Sequence, residues 1–289
     1  MLEKASCCKV NLLLNILGKR ADGFHELETV MHPVPLFDLL SFERIGGGTQ
    51  LSCSDARLPV NSENLVFRAA EAFRKAAGIS PNEGVRIHLQ KNIPVAAGLG
   101  GGSGNAATTL LAMNELFNEP LPKAKLQELA AALGSDIPFF LQAGPALATG
   151  RGEIIQPLEN FPAMKEVWFV LVHPGFGIST PWAYQQLASF PKALRGTPGR
   201  AQRLIAALQT SLASAAAEFY NSLEAPAFRK YPLLELFQEF FRENGAAATL
   251  MSGSGSATFA LAPTRAAAES LLEKFKVKFG SGFWTAVVS

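Results

Sequence analysis

The chain has 289 residues, 48% of them hydrophobic and 17% charged, with a net charge of +2. That length exceeds what one compact core usually holds, so two domains are expected, and the composition is that of a globular protein with ample core. The near-neutral charge, with Lys and Arg dispersed, argues against nucleic-acid binding. The longest apolar runs, such as residues 167–172, are too short to span a bilayer, and no apolar signal region marks the start of the chain. Three cysteines without metal-ligand spacing fit a reducing cytoplasm.

The first predicted element is a strand over residues 6–17. Its polar residues Lys9, Asn11 and Asn15 share one parity and therefore one face, so Lys9 and Asn11 can point together into a cleft. Cys7 and Cys8 read as small buried strand residues. A turn-rich segment (18–25) precedes a second apolar stretch (27–40). Asn64 stands before a run of helical periodicity, 65–73, that stops at Gly78. The apolar run 85–89 leads to a small-residue segment, Pro94 to Ala107, and helices are predicted over 106–117 and 123–133, the latter ending at Gly134. Beyond residue 160 come a strand (167–172), a surface loop (191–199), helical stretches (202–219 and 231–244), a second Gly/Ser loop (251–256), a strand (257–261), a helix (266–275) and a terminal strand (283–288). This mixture indicates an α+β protein.

The segment Pro94, Val95, Ala96, Ala97, Gly98, Leu99, Gly100, Gly101, Gly102, Ser103, Gly104 is the most informative. A strand feeding a glycine-rich loop that feeds a helix gathers backbone N–H groups around one concavity, and the positive end of the helix dipole adds to the field, which suits phosphate. The competing reading is a flexible linker, but linkers rarely sit tightly between two apolar periodic elements. No Lys-Ser or Lys-Thr pair closes the loop, so it is not a Walker A motif, and it lacks the spacing of the dinucleotide fingerprint. A valine at Gly101 is expected to obstruct the phosphate cradle more than the fold.

Lys9 with Asn11, the glycine loop and the Gly/Ser loop at 251–256 together resemble the three motifs of the galactokinase–homoserine kinase–mevalonate kinase–phosphomevalonate kinase (GHMP) superfamily. Residues 18–27 (Gly-Lys-Arg-Ala-Asp-Gly-Phe-His-Glu-Leu), 134–140, 148–153, 173–175 and 179–181 are similar to signatures of one family within it, the 4-diphosphocytidyl-2-C-methyl-D-erythritol kinases. The resemblance implies a two-domain fold, with a half like ribosomal protein S5 domain 2 (1–158) that binds ATP and a ferredoxin-like half (159–289). It implies transfer of the ATP γ-phosphoryl group, with Mg²⁺, to a hydroxyl of a cytidine-diphosphate sugar alcohol, in the cytoplasm, by a monomer or weak homodimer with no membrane or nucleic-acid partner. Lys9 and Asp136 match the family's catalytic pair, Asn11 would position the acceptor, and Asn64 lies in a segment like one that contacts adenine. Phe24 and Tyr184 are expected to clamp cytosine while His25 reads its edge, beside Thr180.

Plainer readings stand beside these. Asp136 could cap a helix starting at Pro138, Asn64 could be only an N-cap, Lys9 could be a solvated strand lysine, and Tyr184 could pack on its own helix. The chain departs from the family pattern at Ala96, Ala97 and Gly104, at Phe24 where tyrosine is common, and at Cys8. The rival functions are a superfamily kinase with another acceptor and a catalytically silent nucleotide-binding protein. The Phe24-His25 segment disfavours the first, and the presence of Lys9 and Asp136 disfavours the second.

Overall fold

A computed structural model describes residues 1–289. They form two compact units, each assembled from three separated segments: Met1–Cys8, Leu36–Ile93 and Gly100–Ala143 in the first, Lys9–Pro35, Pro94–Leu99 and Gly144–Ser289 in the second. The first two strands, β1 (Leu2–Lys19) and β2 (His25–Ile45), are long enough to contribute to both.

The first unit continues with β3 (Gly48–Cys53), α1 (Leu65–Ala76), β4 (Gly84–Gln90), α2 (Gly101–Leu116) and α3 (Lys123–Leu133). Residues 39–45 of β2 pair antiparallel with β4, which pairs in parallel with β3. In β4, Val85, Ile87 and Leu89 are buried while Arg86 and His88 face solvent, the alternation of a half-buried strand. Helix α1 buries Val66, Ala69, Ala70 and Phe73, a stripe at helical spacing, and carries Arg74 and Lys75 in its last turn, where they suit the dipole.

Helix α2 begins five residues earlier than its composition suggests and takes in Gly101 to Gly104. Glycine costs about 1 kcal/mol relative to alanine in a helix interior, so propensity alone disfavours this start. Close packing offsets it: a Cβ at Gly104 would lie 2.7 Å from the Cys7 carbonyl oxygen of β1, so only glycine lets the helix lie so near the strand.

The second unit adds β5 (Ala146–Thr149), β6 (Ile154–Pro157), β7 (Trp168–His173), α4 (Thr180–Gln186), α5 (Pro191–Leu194), α6 (Arg200–Leu208), α7 (Leu212–Ala215), β8 (Tyr220–Asn221), α8 (Glu224–Lys230), α9 (Pro232–Glu243), β9 (Ala248–Met251), β10 (Thr258–Ala262), α10 (Arg265–Phe279) and β11 (Trp284–Val288). Its antiparallel sheet has the order β11-β7-β10-β9. Phe237, Phe241, Leu271 and Phe275 from α9 and α10 pack on Val170, Val172, Ala260 and Ala262 of that sheet. The stretch 202–219, expected as one helix, is two short helices, α7 being capped anew by Ser211, whose Oγ accepts from the Ser214 amide. The expected loop at 191–199 contains α5. No helix is long and apolar enough to cross a membrane.

Candidate active site

Lys9 and Asn11 lie on the part of β1 that belongs to the second unit, and both are buried, Lys9 with only 2% of its surface exposed. An ammonium group so far from water is tolerable only with hydrogen-bond acceptors around it. Lys9 Nζ donates to Asn11 Oδ1 at 2.6 Å and to the Gly98 carbonyl at 2.9 Å. Asn11 in turn donates through Nδ2 to Thr29 Oγ1 (2.8 Å), and Thr29 donates to the Leu13 carbonyl. The asparagine is thereby fixed with its carbonyl on the cation. The shared parity of the two residues becomes a direct bond, and the solvated-lysine reading is excluded.

The loop segment 94–99 is pinned by its carbonyls. Ala97 accepts from the Ala257 amide (2.9 Å), Gly98 from Lys9 Nζ and from Ser252 Oγ (2.9 Å), and Leu99 from the Lys9 amide (2.9 Å). Gly98 has φ +78° and a Cβ there would sit 2.0 Å from the Ser252 carbonyl oxygen, so the two small-residue loops meet backbone to backbone. Gly253, in the second loop, also comes near: a Cβ on it would be 3.1 Å from the Gly98 carbonyl oxygen and 3.2 Å from Lys9 Nζ. Asn221 holds that loop by donating to the Met251 and Gly253 carbonyls (2.7 and 2.8 Å). Thr180, the first residue of α4, hydrogen-bonds through Oγ1 to Ser254 Oγ at 2.8 Å. Ala96 adopts φ +54°, the left-handed region that favours glycine. Pro94 is half-buried and Val95 exposed.

In the first unit, α2 starts from Gly100 at φ +70°, with no side chain capping it and no acidic residue in its first turn. Its leading amides and dipole thus remain available to an anion. The individual glycines differ. Gly102 is exposed, and a Cβ on it would meet only Leu65 Cδ1, at 3.7 Å, whereas a Cβ on Gly101 would press on Ile93 Cγ2 at 3.0 Å and Lys91 Nζ at 3.2 Å. Contrary to expectation, then, valine at 101 would strike the interior before any ligand, and Gly102 is the position that reports on the cradle. Gly104 faces β1, so a serine there would have no room for a phosphate contact. Ser103 is half-buried in the same turn.

Asp136 precedes a single 3-10 turn, Ile137–Leu141, anchored by buried Ile137 and Phe139. Although it occupies the cap position, its carboxylate makes no capping hydrogen bond, which removes the capping alternative. Asn64 does cap: Oδ1 accepts from the Val66 amide (2.9 Å) and Nδ2 donates to the Pro59 carbonyl (2.8 Å), so both ends of its amide serve the fold.

The 18–27 signature forms a turn at the start of β2. Asp22 Oδ1 accepts from the Phe24 amide (3.1 Å), and the Arg20 amide donates to the Phe24 carbonyl (2.8 Å). Phe24 is 52% exposed, with the Arg151 guanidinium 4.7 Å from its ring centre. The His25 ring meets that of Tyr184: their centroids are 5.2 Å apart with planes inclined at 39°. Burial, with the Lys19 charge nearby, pushes the His25 imidazole below its ordinary pKa, keeping it neutral at pH 7 and able both to donate and to accept. No group of three or more His, Cys, Asp or Glu could hold a metal ion. Mg²⁺ brought in on nucleotide phosphates needs only one or two protein oxygens, so this donor set remains compatible with it.

Residues 64–144 match the family model described as GHMP kinases N terminal domain, and residues 192–281 match GHMP kinases C terminal. A solved structure of homoserine kinase from Cytophaga hutchinsonii, at 19% identity, superposes with a TM-score of 0.77 over 100% of this chain and 94% of that one. The chain is a GHMP kinase in fold and belongs to that superfamily. A protein of Syntrophus aciditrophicus named 4-diphosphocytidyl-2-C-methyl-D-erythritol kinase is 42% identical over 271 residues, 90% of each chain. One from Clostridium botulinum with the same name is 38% identical over the whole of both. A crystal structure of 4-(cytidine 5'-diphospho)-2C-methyl-D-erythritol kinase is 35% identical, with a TM-score of 0.79 over 100% of this chain and 99% of that one. Within the superfamily, the chain belongs to the 4-diphosphocytidyl-2-C-methyl-D-erythritol kinases.

Proposed function

We infer that this protein transfers the γ-phosphoryl group of ATP to the 2-hydroxyl of 4-diphosphocytidyl-2-C-methyl-D-erythritol, a step of non-mevalonate isoprenoid precursor synthesis. The observation that carries this reading is relatedness of 38–42% identity over 90–100% of the chain to proteins named for that activity. Phosphoryl transfer asks a protein mainly to position phosphates, neutralise charge and orient the attacking oxygen. The amides at the start of α2, Gly101 to Ser103, hold the phosphates of ATP. The Asp136 carboxylate takes the proton of the substrate hydroxyl as its oxygen bonds to phosphorus and the bond to ADP breaks. The Lys9 ammonium, its direction set by Asn11 and Gly98, stabilises the developing alkoxide and the transferred group. The Ser103 hydroxyl and the Asp136 carboxylate are the hard oxygens that would hold Mg²⁺, which would supply neutralisation of part of the phosphate charge.

The same reading makes residues 1–158 the ATP-binding half and 159–289 the second half, a division supported by family matches lying on either side of it. It assigns cytosine to Phe24, His25 and Tyr184, Asn11 to the acceptor and Asn64 to the adenine end through its neighbourhood rather than its committed amide. It also describes a cytoplasmic enzyme, monomeric or weakly dimeric, that binds neither membranes nor nucleic acid. A steady-state assay with ATP, Mg²⁺ and a panel of alcohols tests it. The expected result is phosphorylation of the cytidine-diphosphate sugar alcohol with little turnover of mevalonate or homoserine; preference for either of the latter would overturn it.

A further inference from the structure

Asp38, near the middle of β2, is fully buried and lies outside every motif described above. Its carboxylate accepts four hydrogen bonds. Oδ2 takes Lys91 Nζ at 2.7 Å and Asn105 Nδ2 at 3.0 Å, while Oδ1 takes the backbone amides of Asn92 at 2.7 Å and Ile93 at 2.8 Å. Lys91, itself only 6% exposed at its side chain, also donates to the Ile93 carbonyl. Every donor belongs to chain flanking the glycine segment: residues 91–93 lead into it and Asn105 follows it.

An ion pair sealed from water seldom improves stability over a well-packed apolar replacement, because desolvation consumes much of the attraction. It does impose geometry, since charge-assisted bonds are short and directional. Here one carboxylate ties the two ends of residues 94–104 to a single point on β2. The tie reaches α2 directly: Lys91 Nζ lies 3.2 Å from where a Cβ on Gly101 would stand, beneath the helix's first residue.

We propose that Asp38 is a positioning residue for nucleotide phosphate, fixing through Lys91, Asn92, Ile93 and Asn105 the angle at which the leading amides of α2 are presented. This rests on the kinase reading above. An amide at position 38 would still accept from the two backbone amides through its oxygen, but its NH₂ would face the Lys91 and Asn105 donors. The loop's entry would be kept and its link to α2 broken.

The test compares wild type with Asp38→Asn, with the exchange Asp38→Asn/Asn105→Asp, which returns a carboxylate to the Lys91 cation, and with Asn105→Ala, which removes only the tie to α2. ATP Kd by titration calorimetry, KM for each substrate and Tm are measured for each protein. For Asp38→Asn, ATP Kd and KM should rise about tenfold or more, the scale of a lost hydrogen bond to a charged group, while KM for the cytidine substrate stays within about twofold. The exchange should recover most of the ATP affinity. Should Asp38→Asn fail to fold, Asn105→Ala decides by the same split, with a rise in ATP Kd of about threefold or more expected. A folded Asp38→Asn with unchanged ATP Kd, equal losses for both substrates, or an exchange that recovers Tm without ATP affinity would each overturn the proposal. A wild type that binds ATP yet does not phosphorylate the cytidine substrate would overturn the kinase reading instead, and ATP Kd alone would then decide the role of Asp38.

Discussion

The start of α2 and the cluster around Lys9 are built from different materials. The first is nearly all backbone: a left-handed Gly100, an uncapped helix end and an exposed Gly102 with only Leu65 near it. The second is nearly all side chain, a buried ammonium held by an asparagine that is itself held by a threonine. A backbone cradle offers several equivalent donors, so it should yield gradually when crowded. A side-chain cluster depends on single atoms, so it should fail at once when one is removed.

The sharpest way to break that contrast is at Asp136 and Lys9, the groups proposed to react. Asp136→Asn and Lys9→Ala should each lower kcat by at least about a hundredfold, with ATP affinity changing far less. Lys9→Ala should also lower Tm, because it strands the buried Asn11 Oδ1. Near-normal turnover in either variant removes that residue from the chemistry.

The next effect in size concerns the aromatic residues. Phe24→Ala and Tyr184→Ala should raise KM for the cytidine substrate by about ten- to a hundredfold, the worth of a stacked base, with ATP KM little moved. Unchanged KM in a folded double variant would leave these rings a packing role only. Because His25 must be neutral to read a base edge and its pKa lies below the ordinary value, that KM should be flat above about pH 6.5. It should rise as acid protonates the ring, and a His25→Gln variant should lack that acidic limb.

Crowding the cradle is a milder perturbation. Gly102→Val should fold and lose about tenfold in ATP affinity, while Gly101→Val should lose stability first, as calorimetry and thermal melts on the pair would show. The smallest effect belongs to Ala96, whose left-handed backbone stores about 1 kcal/mol that Ala96→Gly would partly relieve. A slightly higher Tm is expected, and an unchanged or lower one would mean that the methyl group's contacts outweigh the strain.

How much of this was legible in the sequence depends on the range of the interaction. The pairing of Lys9 with Asn11 follows from strand parity, and α3 ends where Gly134 stops it, both local rules. The helical start at Gly101 was hidden because propensity speaks against glycine and the compensating contact with Cys7 is remote. The break between α6 and α7 lacks any proline or glycine to mark it. Asp38 and Lys91 are 53 positions apart, with nothing in the composition of either segment to announce a buried pair. The meeting of His25 with Tyr184 is equally remote; resemblance brought both residues into view as binders of cytosine but said nothing of their contact.

The interleaving of the two units has a consequence for how the chain is made. The second unit needs residues 9–35 together with residues 144–289, and most of the first unit lies between them in the chain. The strand bearing Lys9 must therefore wait, its apolar face uncovered, until residues 144–289 have been made. Such late, long-range closure is slow and exposes nascent chains to aggregation. Chaperone dependence during translation, and poor recovery from any protein cut once at a surface loop and reassembled from its halves, are the expected marks of this threading.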